Sequence, residues 1–212
     1  MTANVVVLYH SGFGHTAALA QAVFSGASSV AGVKAQLIRT EDLAQHWAEL
    51  DAADAIIFGA PTLMGSVSAG MKQFMEATVE RYLGQRWDGK LAAGFTNSAS
   101  LSGDKLNTLV DFVMFSAQMG MHWLSLGLLS GVDASHSKAD SLNRLGSWLG
   151  AMAQSNVDQG PDTAPPDSDR RTGEHLGRRV AEAALRWRAG AERTAAAPAK
   201  AVAADYRIRG QA

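Results

Sequence analysis

Val5-Val6-Val7-Leu8-Tyr9-His10-Ser11-Gly12-Phe13-Gly14-His15-Thr16 begins as an unbroken apolar run and ends in small, polar and glycine residues. Such a run, stopped at once by Ser and Gly, marks a strand buried on both faces, as inner strands of a parallel sheet are. The residues that follow, Thr16-Ala17-Ala18-Leu19-Ala20-Gln21-Ala22-Val23, have helix-forming composition. Strand, glycine-rich turn and helix in succession leave unpaired N–H groups and partial positive charge at the helix start, ready to hold a phosphate. Ser11, Thr16 and the His15 imidazole add further donors.

Spacing separates the phosphate loops that this turn resembles. A nucleotide-triphosphatase loop ends in Gly-Lys-Ser/Thr, and the absence of any Lys before Lys34 excludes it. Gly12-x-Gly14-x-x-Ala17 fits a loose dinucleotide fingerprint, but the acidic residue expected at the end of the second strand is missing: Lys34 to Ile38 runs into Arg39-Thr40 before Glu41. An Arg there suits a 2′-phosphate, so the dinucleotide fold stays open as an alternative, as does a turn that binds nothing.

The 212 residues fit one domain with a sizeable core plus a tail, expected at 1–190 and 191–212. Apolar residues at 47%, charges at 18% and 21 glycines suit an α/β protein with tight loops. A net charge of −1 supplies no global pull toward nucleic acid or anionic lipid. With no Cys there are no disulfides, thiolate nucleophiles or thiolate metal sites, and the six His (10, 15, 46, 122, 136, 175) lack the spacing of a metal pair. No signal segment and no apolar stretch of about 18 residues appears, which leads us to expect a soluble, cytoplasmic chain without membrane insertion.

Further along, Val33–Arg39 reads as a second strand, Glu41–Leu50 as a short polar helix, and Asp54–Gly59 as a third strand. Pro61-Thr62-Leu63-Met64-Gly65 follows at the carboxyl end of that strand, where open α/β sheets bind ligands; Pro61 stiffens it and Gly65 permits close backbone approach. A helix is expected over Ala69–Leu83, with Met71, Phe74, Met75, Thr78, Val79 and Tyr82 on one stripe, most of it core. The fourth strand, Leu91–Phe95, leads into Thr96-Asn97-Ser98-Ala99-Ser100-Leu101-Ser102-Gly103, a loop dense in donors that suits the polar edge of a heterocycle. Lys105–Met119 reads as a helix stopped by Gly120, and Met121–Leu129 as the fifth strand. Three loops with ligand chemistry therefore follow strands one, three and four. A doubly wound five-stranded parallel sheet of order 2-1-3-4-5 brings all three to one switch point.

With these motifs together, the chain resembles the flavodoxin-like FMN proteins, and among them the NAD(P)H:quinone oxidoreductases of the WrbA (tryptophan-repressor-binding-protein) type. The resemblance rests on Leu8 to Thr16, on Gly59-Ala60-Pro61-Thr62-Leu63-Met64-Gly65-Ser66, on Gly89-Lys90-Leu91-Ala92 and on the third loop, within residues 4–132. It implies that Ser11, Gly12, Phe13, Gly14, His15 and Thr16 cradle the FMN phosphate. It implies further that Pro61 to Gly65 lie along the ribityl chain and ring, and that Thr96, Asn97, Ser98, Ala99, Ser100 and Gly103 complete the pocket. Phe13 stands where the family places an aromatic residue near the nicotinamide, and Tyr82 where the family lines its quinone site with Trp; Tyr82 as plain core is the alternative. Two departures stand out: Ala99-Ser100-Leu101-Ser102 replaces a glycine-rich loop, and Gln118-Met119 replaces a His pair.

The implied activity is FMN-dependent transfer of two electrons from NAD(P)H to a quinone, with no obligate proton-donating side chain and no metal, in a homodimer or homotetramer. Alternatives are an NAD(P)H-dependent FMN reductase, a flavodoxin-type carrier, for which this chain is short of acid, or a flavin-binding interaction protein. Trp148 is expected as a buried anchor, and Arg144 as a surface charge or a partner for a cofactor phosphate. A final helix is expected over Thr172–Arg188, with Leu176, Val180, Ala183, Ala184 and Trp187 facing inward. Ten of the 19 Lys and Arg fall between Arg170 and Arg209, which reads as a solvated face and tail clasping another subunit rather than as a nucleic-acid arm.

Overall fold

In the computed structural model, residues 2–194 are described. The first strand, β1 (Ala3–Tyr9), pairs in parallel with both β2 (Val33–Arg39) and β3 (Ala55–Leu63). Residues Val5 to Leu8 are fully covered, as an apolar run without alternation requires. β5 (Leu91–Ser98) lies beyond β3, and the sheet order is β2-β1-β3-β5-β6. With the short hairpin strand β4 (Ser66–Val67) set aside, this is the expected 2-1-3-4-5 doubly wound sheet.

The fifth strand differs from the expected Met121–Leu129. Only β6 (His122–Trp123) pairs with the start of β5; β7 (Ala151–Gln154) pairs with its end, Phe95 to Ser98. Residues 124–150 loop out between the two pieces. The chain re-enters at Gly150, where a Cβ would stand 2.0 Å from the Gly94 carbonyl oxygen, so the return path needs glycine. Buried Asn143 folds the excursion: its amide donates to Leu129 O and Ser147 O, and its carbonyl accepts from Ser147 N.

Two layers of helix cover the sheet. On one face, α1 (His15–Ser28) packs on α6 (Asp167–Thr194) over Val5, Val7, Ile57, Ala93 and Phe95. Gly26 and Gly177 let these helices touch backbone to backbone, since a Cβ on either would lie about 2 Å from a carbonyl oxygen of the other. On the opposite face, α2 (Trp47–Ala52), α3 (Ala69–Ala77), α4 (Val79–Leu83) and α5 (Lys105–Gln118) enclose Val6, Leu8, Ile56 and Phe58. Phe58, Phe74, Trp87, Phe112 and Phe115 form an aromatic cluster there, with neighbouring rings 5.5–6.4 Å apart.

Several boundaries move. The segment 41–50 is a 3-10 turn (Thr40–Gln45) followed by α2 rather than one helix. The helix expected over 69–83 breaks at Thr78, whose hydroxyl donates to Met75 O; the rotation leaves Met71, Phe74, Met75 and Thr78 buried but turns Val79 and Tyr82 outward. The last helix runs 167–194 instead of 172–188 and so crosses position 190; of the tail expected at 191–212, residues 195–212 lie outside the described residues. On its inner side Leu176, Val180 and Ala184 are buried as expected, whereas Trp187 is 45% exposed. No helix among the described residues is long and apolar enough to cross a membrane.

Candidate functional site

The carboxyl ends of β1, β3 and β5 open into a cleft of about 280 Å³. Ser11, Gly12, Phe13, His15, Thr16, Pro61, Thr62, Leu63, Asn97, Ser98 and Ala99 line it, so the three loops expected at the switch point do converge. Ser155 and Val157, just beyond β7, form a further wall. Sequence reasoning missed them because the strand that places them is four residues long and returns from a 27-residue excursion.

The first loop is built around one hydroxyl. Ser11 Oγ accepts from Gly14 N at 3.2 Å and from Ala17 N at 3.1 Å, curling the chain onto the start of α1. Gly14 sits at φ +89°, a left-handed conformation that glycine adopts without strain. Among the described residues, the N–H groups of Gly12, Phe13, His15 and Thr16 find no acceptor in the protein. They stand at the positive end of a 14-residue helix, a donor set that suits an anion cradle. His15 Nε2 donates to Gln159 O at 2.7 Å, so its ring braces the far loop. Phe13, 83% exposed, projects at the mouth.

The second loop is a hairpin. Met64 and Gly65 occupy its tip at φ +50° and +78°, the pattern of a tight two-residue turn, and Thr62 and Leu63 pair with Val67 and Ser66. The tip carries Met64 and Gly65 past the cleft, so neither lines it; Gly65 O instead accepts from Asn107 Nδ2 at 2.6 Å. His10 Nδ1 and Ser68 Oγ, 2.7 Å apart, tie the hairpin base to the end of β1.

Thr96 is fully buried and serves the floor: its hydroxyl lies 2.8 Å from Thr62 Oγ1, which lies 2.8 Å from Thr108 Oγ1. Asn97 Oδ1 accepts from Ser155 Oγ at 2.9 Å. Ser100 and Gly103 do not line the cleft, because the loop folds around Lys105, a residue the sequence reading passed over. Lys105 Nζ donates to Ser98 Oγ, Ser100 O and Leu101 O at 2.6–2.9 Å, and burial pushes its ammonium down to about 8.

Three other residues fall away from the cleft. Tyr82, 38% exposed, lines an outer groove between α3–α4 and α5 with Val79, Met114 and Phe115. Trp148 is 60% exposed rather than buried. Arg144 is neither surface charge nor free anion partner: it makes a two-point ion pair with buried Asp169, at 2.7 and 2.8 Å. On α6, Arg170, Arg171, Arg179 and Arg188 likewise bond backbone carbonyls or carboxylates of the same chain, which commits these donors within the fold.

A doubly wound sheet, an anion cradle at the first turn and two further loops at the switch point define the flavodoxin-like class. The comparisons agree. The family described as NADPH-dependent FMN reductase matches residues 29–130. The chain is 40% identical to flavodoxin FldP of Pseudomonas aeruginosa over 76% of this chain and 86% of that one. It is 30% identical to an NAD(P)H dehydrogenase (quinone) of Syntrophobacter fumaroxidans, over 85% of this chain and 97% of that one. A WrbA-like flavodoxin crystal structure from Agrobacterium tumefaciens superposes with a TM-score of 0.69 at 38% identity, covering 87% and 99% of the two chains. The protein belongs to the flavodoxin-like family of FMN proteins, in its WrbA-type branch.

Proposed function

We propose that this chain is an FMN-dependent oxidoreductase passing two electrons from NAD(P)H to a quinone. The observation that carries the reading is the convergence of the Ser11–Thr16 cradle with the Pro61–Leu63 and Asn97–Ala99 walls in one cleft. The donor set fits FMN: unpaired N–H groups and a helix start at one end suit a phosphate dianion, and the apolar faces of Pro61, Leu63 and Val157 suit a flat ring.

In this reading the N–H groups of Gly12, Phe13, His15 and Thr16 hold the phosphate, and the Ser11 hydroxyl, already accepting twice, retains its proton to donate. Pro61 to Leu63 and Asn97 to Ala99 orient the ring, with Met64, Gly65, Thr96, Ser100 and Gly103 acting from behind them. Phe13 covers the mouth where the reductant arrives. Bound FMN supplies the acceptance and release of a hydride equivalent, and the chain supplies position and electrostatics. No side chain is assigned as proton donor, since the open mouth admits water. A cytoplasmic setting, where NAD(P)H is at hand, and a homodimer or homotetramer belong to the same proposal; Val79, Leu83 and Met114, exposed beside Tyr82, offer an apolar face for subunit contact.

The test is the visible spectrum of purified protein after FMN is added and excess removed, followed anaerobically by NAD(P)H and then benzoquinone. A retained flavin band, bleached by NAD(P)H and restored by benzoquinone, is expected. The relative named flavodoxin supports a second reading, a one-electron carrier. Retained FMN that NAD(P)H fails to bleach selects it, and no retained FMN overturns both.

A further inference from the structure

Lys105 sits at the first turn of α5, only 1% exposed, and no part of the flavin reading uses it. All three bonds that its ammonium donates go to the loop between β5 and α5: 2.8 Å to Ser98 Oγ, 2.6 Å to Ser100 O and 2.9 Å to Leu101 O. Ser98 also lines the cleft, so the charge lies one hydrogen bond behind the wall. The loop is shaped for it. Gly103 and Asp104 take positive φ (+55° and +53°), which turns the chain back on itself, and a Cβ at Gly103 would meet Ser98 Oγ at 2.3 Å. A lysine at a helix start opposes the helix dipole, and its burial costs solvation, so its presence there calls for a compensating role.

Resting on the flavin reading, we propose that Lys105 is a positioning residue for FMN: it ties the Ser98–Leu101 loop into the shape that receives the ring and places positive charge behind that wall. An anionic ligand gains from this charge, and so does the added electron density of the reduced ring. The charged groups facing Lys105 from other elements are Asp169 of α6, which favours the ammonium, and Arg144 of the 124–150 excursion, which opposes it; the two pair with each other. Burial is the larger influence and brings the amine down to about 8. The charge is therefore present at neutral pH and lost as pH rises through that value. A phosphate monoester loses its second proton near pH ~6, well below that window.

The experiment uses the full chain stripped of flavin, with FMN affinity read from flavin fluorescence between pH 6.5 and 10 for the wild type, Lys105→Met and Lys105→Gln. Wild-type affinity is expected to hold up to about pH 7.5 and to fall at least severalfold above pH 8. Both variants should bind about tenfold or more weakly at pH 7, show no break near pH 8, and hold FMN at a more negative midpoint potential. Variants with wild-type affinity and the same pH profile overturn the proposal. Should the variants fail to fold, the wild-type profile decides alone: a flat affinity from pH 7 to 9.5 overturns it, and a break near 8 supports it. Absence of FMN binding by the wild type at every pH overturns the flavin reading and this inference with it.

Discussion

The hydroxyls of Thr62 on β3 and Thr96 on β5 lie 2.8 Å apart beneath the cleft, and Thr62 bonds a third, Thr108 of α5, at the same distance. One side chain thus joins two strands and a helix under the candidate ring site, and all three residues are buried. Thr62→Val keeps the shape and removes the shared hydroxyl, leaving two buried hydroxyls each short of a partner. An unmet buried polar group costs about 1–3 kcal/mol. Urea unfolding of the variant should show a loss of about 2 kcal/mol with an unchanged m-value, and an unchanged midpoint would sink the account.

Asp169 and Arg144 form the most enclosed two-point ion pair near the site, and Asp169 Oδ2 also accepts from Gln154 N of β7. Asp169→Asn leaves a guanidinium of low exposure without its counter-charge. Breaking a buried pair from one side costs about 3–5 kcal/mol, far more than an exposed pair is worth. Thermal unfolding should register the single variant as severely destabilised. The double variant Arg144→Met/Asp169→Leu should recover part of the loss, since it removes both charges together but leaves Gln154 N without its acceptor.

How far these features are legible in the sequence depends on whether their cause is local. The strands over 3–9, 33–39 and 91–98 and the helix over 105–118 follow from apolar runs and a Gly120 stop, and the structure places them close to where the residues put them. The converging loops follow from sheet order alone. The split edge strand does not, because it depends on Gly150 meeting Gly94 across 56 positions of chain. Tyr82 falls on the core stripe only if the helix is unbroken, and the break at Thr78 rotates it out, which excludes the plain-core alternative to its quinone-site reading. Lys105 is illegible for a similar reason: nothing near it in sequence announces burial, which arises only when the preceding loop folds back over it.

His175 on α6 donates from Nε2 to Leu126 O at 3.1 Å and so helps hold the 124–150 excursion. Burial lowers its pKa below 6.5; the Leu126 carbonyl and Glu182 act against that, and Arg178 and Arg179 act with it. The folded chain therefore binds this proton less readily than the unfolded chain does. Stability contributed by the neutral ring is complete above about 6.5 and is lost as pH falls from there through the lowered value. Unfolding free energies measured from pH 7.5 to 5 should decline more steeply for the wild type than for His175→Gln. Parallel curves would exclude His175 as the source.

Gly177 and Gly190 lie on the same helix and should respond oppositely to the same substitution. At a helical position with room for a Cβ, Gly→Ala stabilises by up to about 1 kcal/mol, because alanine loses less backbone entropy on folding. A Cβ at Gly190 would meet nothing within 4 Å, so Gly190→Ala should gain most of that amount. At Gly177 the added carbon would stand 1.9 Å from Val23 O and 2.9 Å from Ala27 N, both backbone atoms of α1 that have no rotamer by which to yield. The α1–α6 pair would have to separate, opening the face that covers Leu19, Val23, Leu176 and Val180. Overpacking of this kind costs about 1–3 kcal/mol, and the immovable backbone sets the expectation at the upper end, beyond what helix propensity returns. Because α1 also carries the anion cradle at its start, Gly177→Ala should weaken FMN retention as well as lower Tm, while Gly190→Ala raises Tm and leaves retention alone. A Gly177→Ala protein as stable as the wild type would show that close backbone approach does not set the spacing of the two helices.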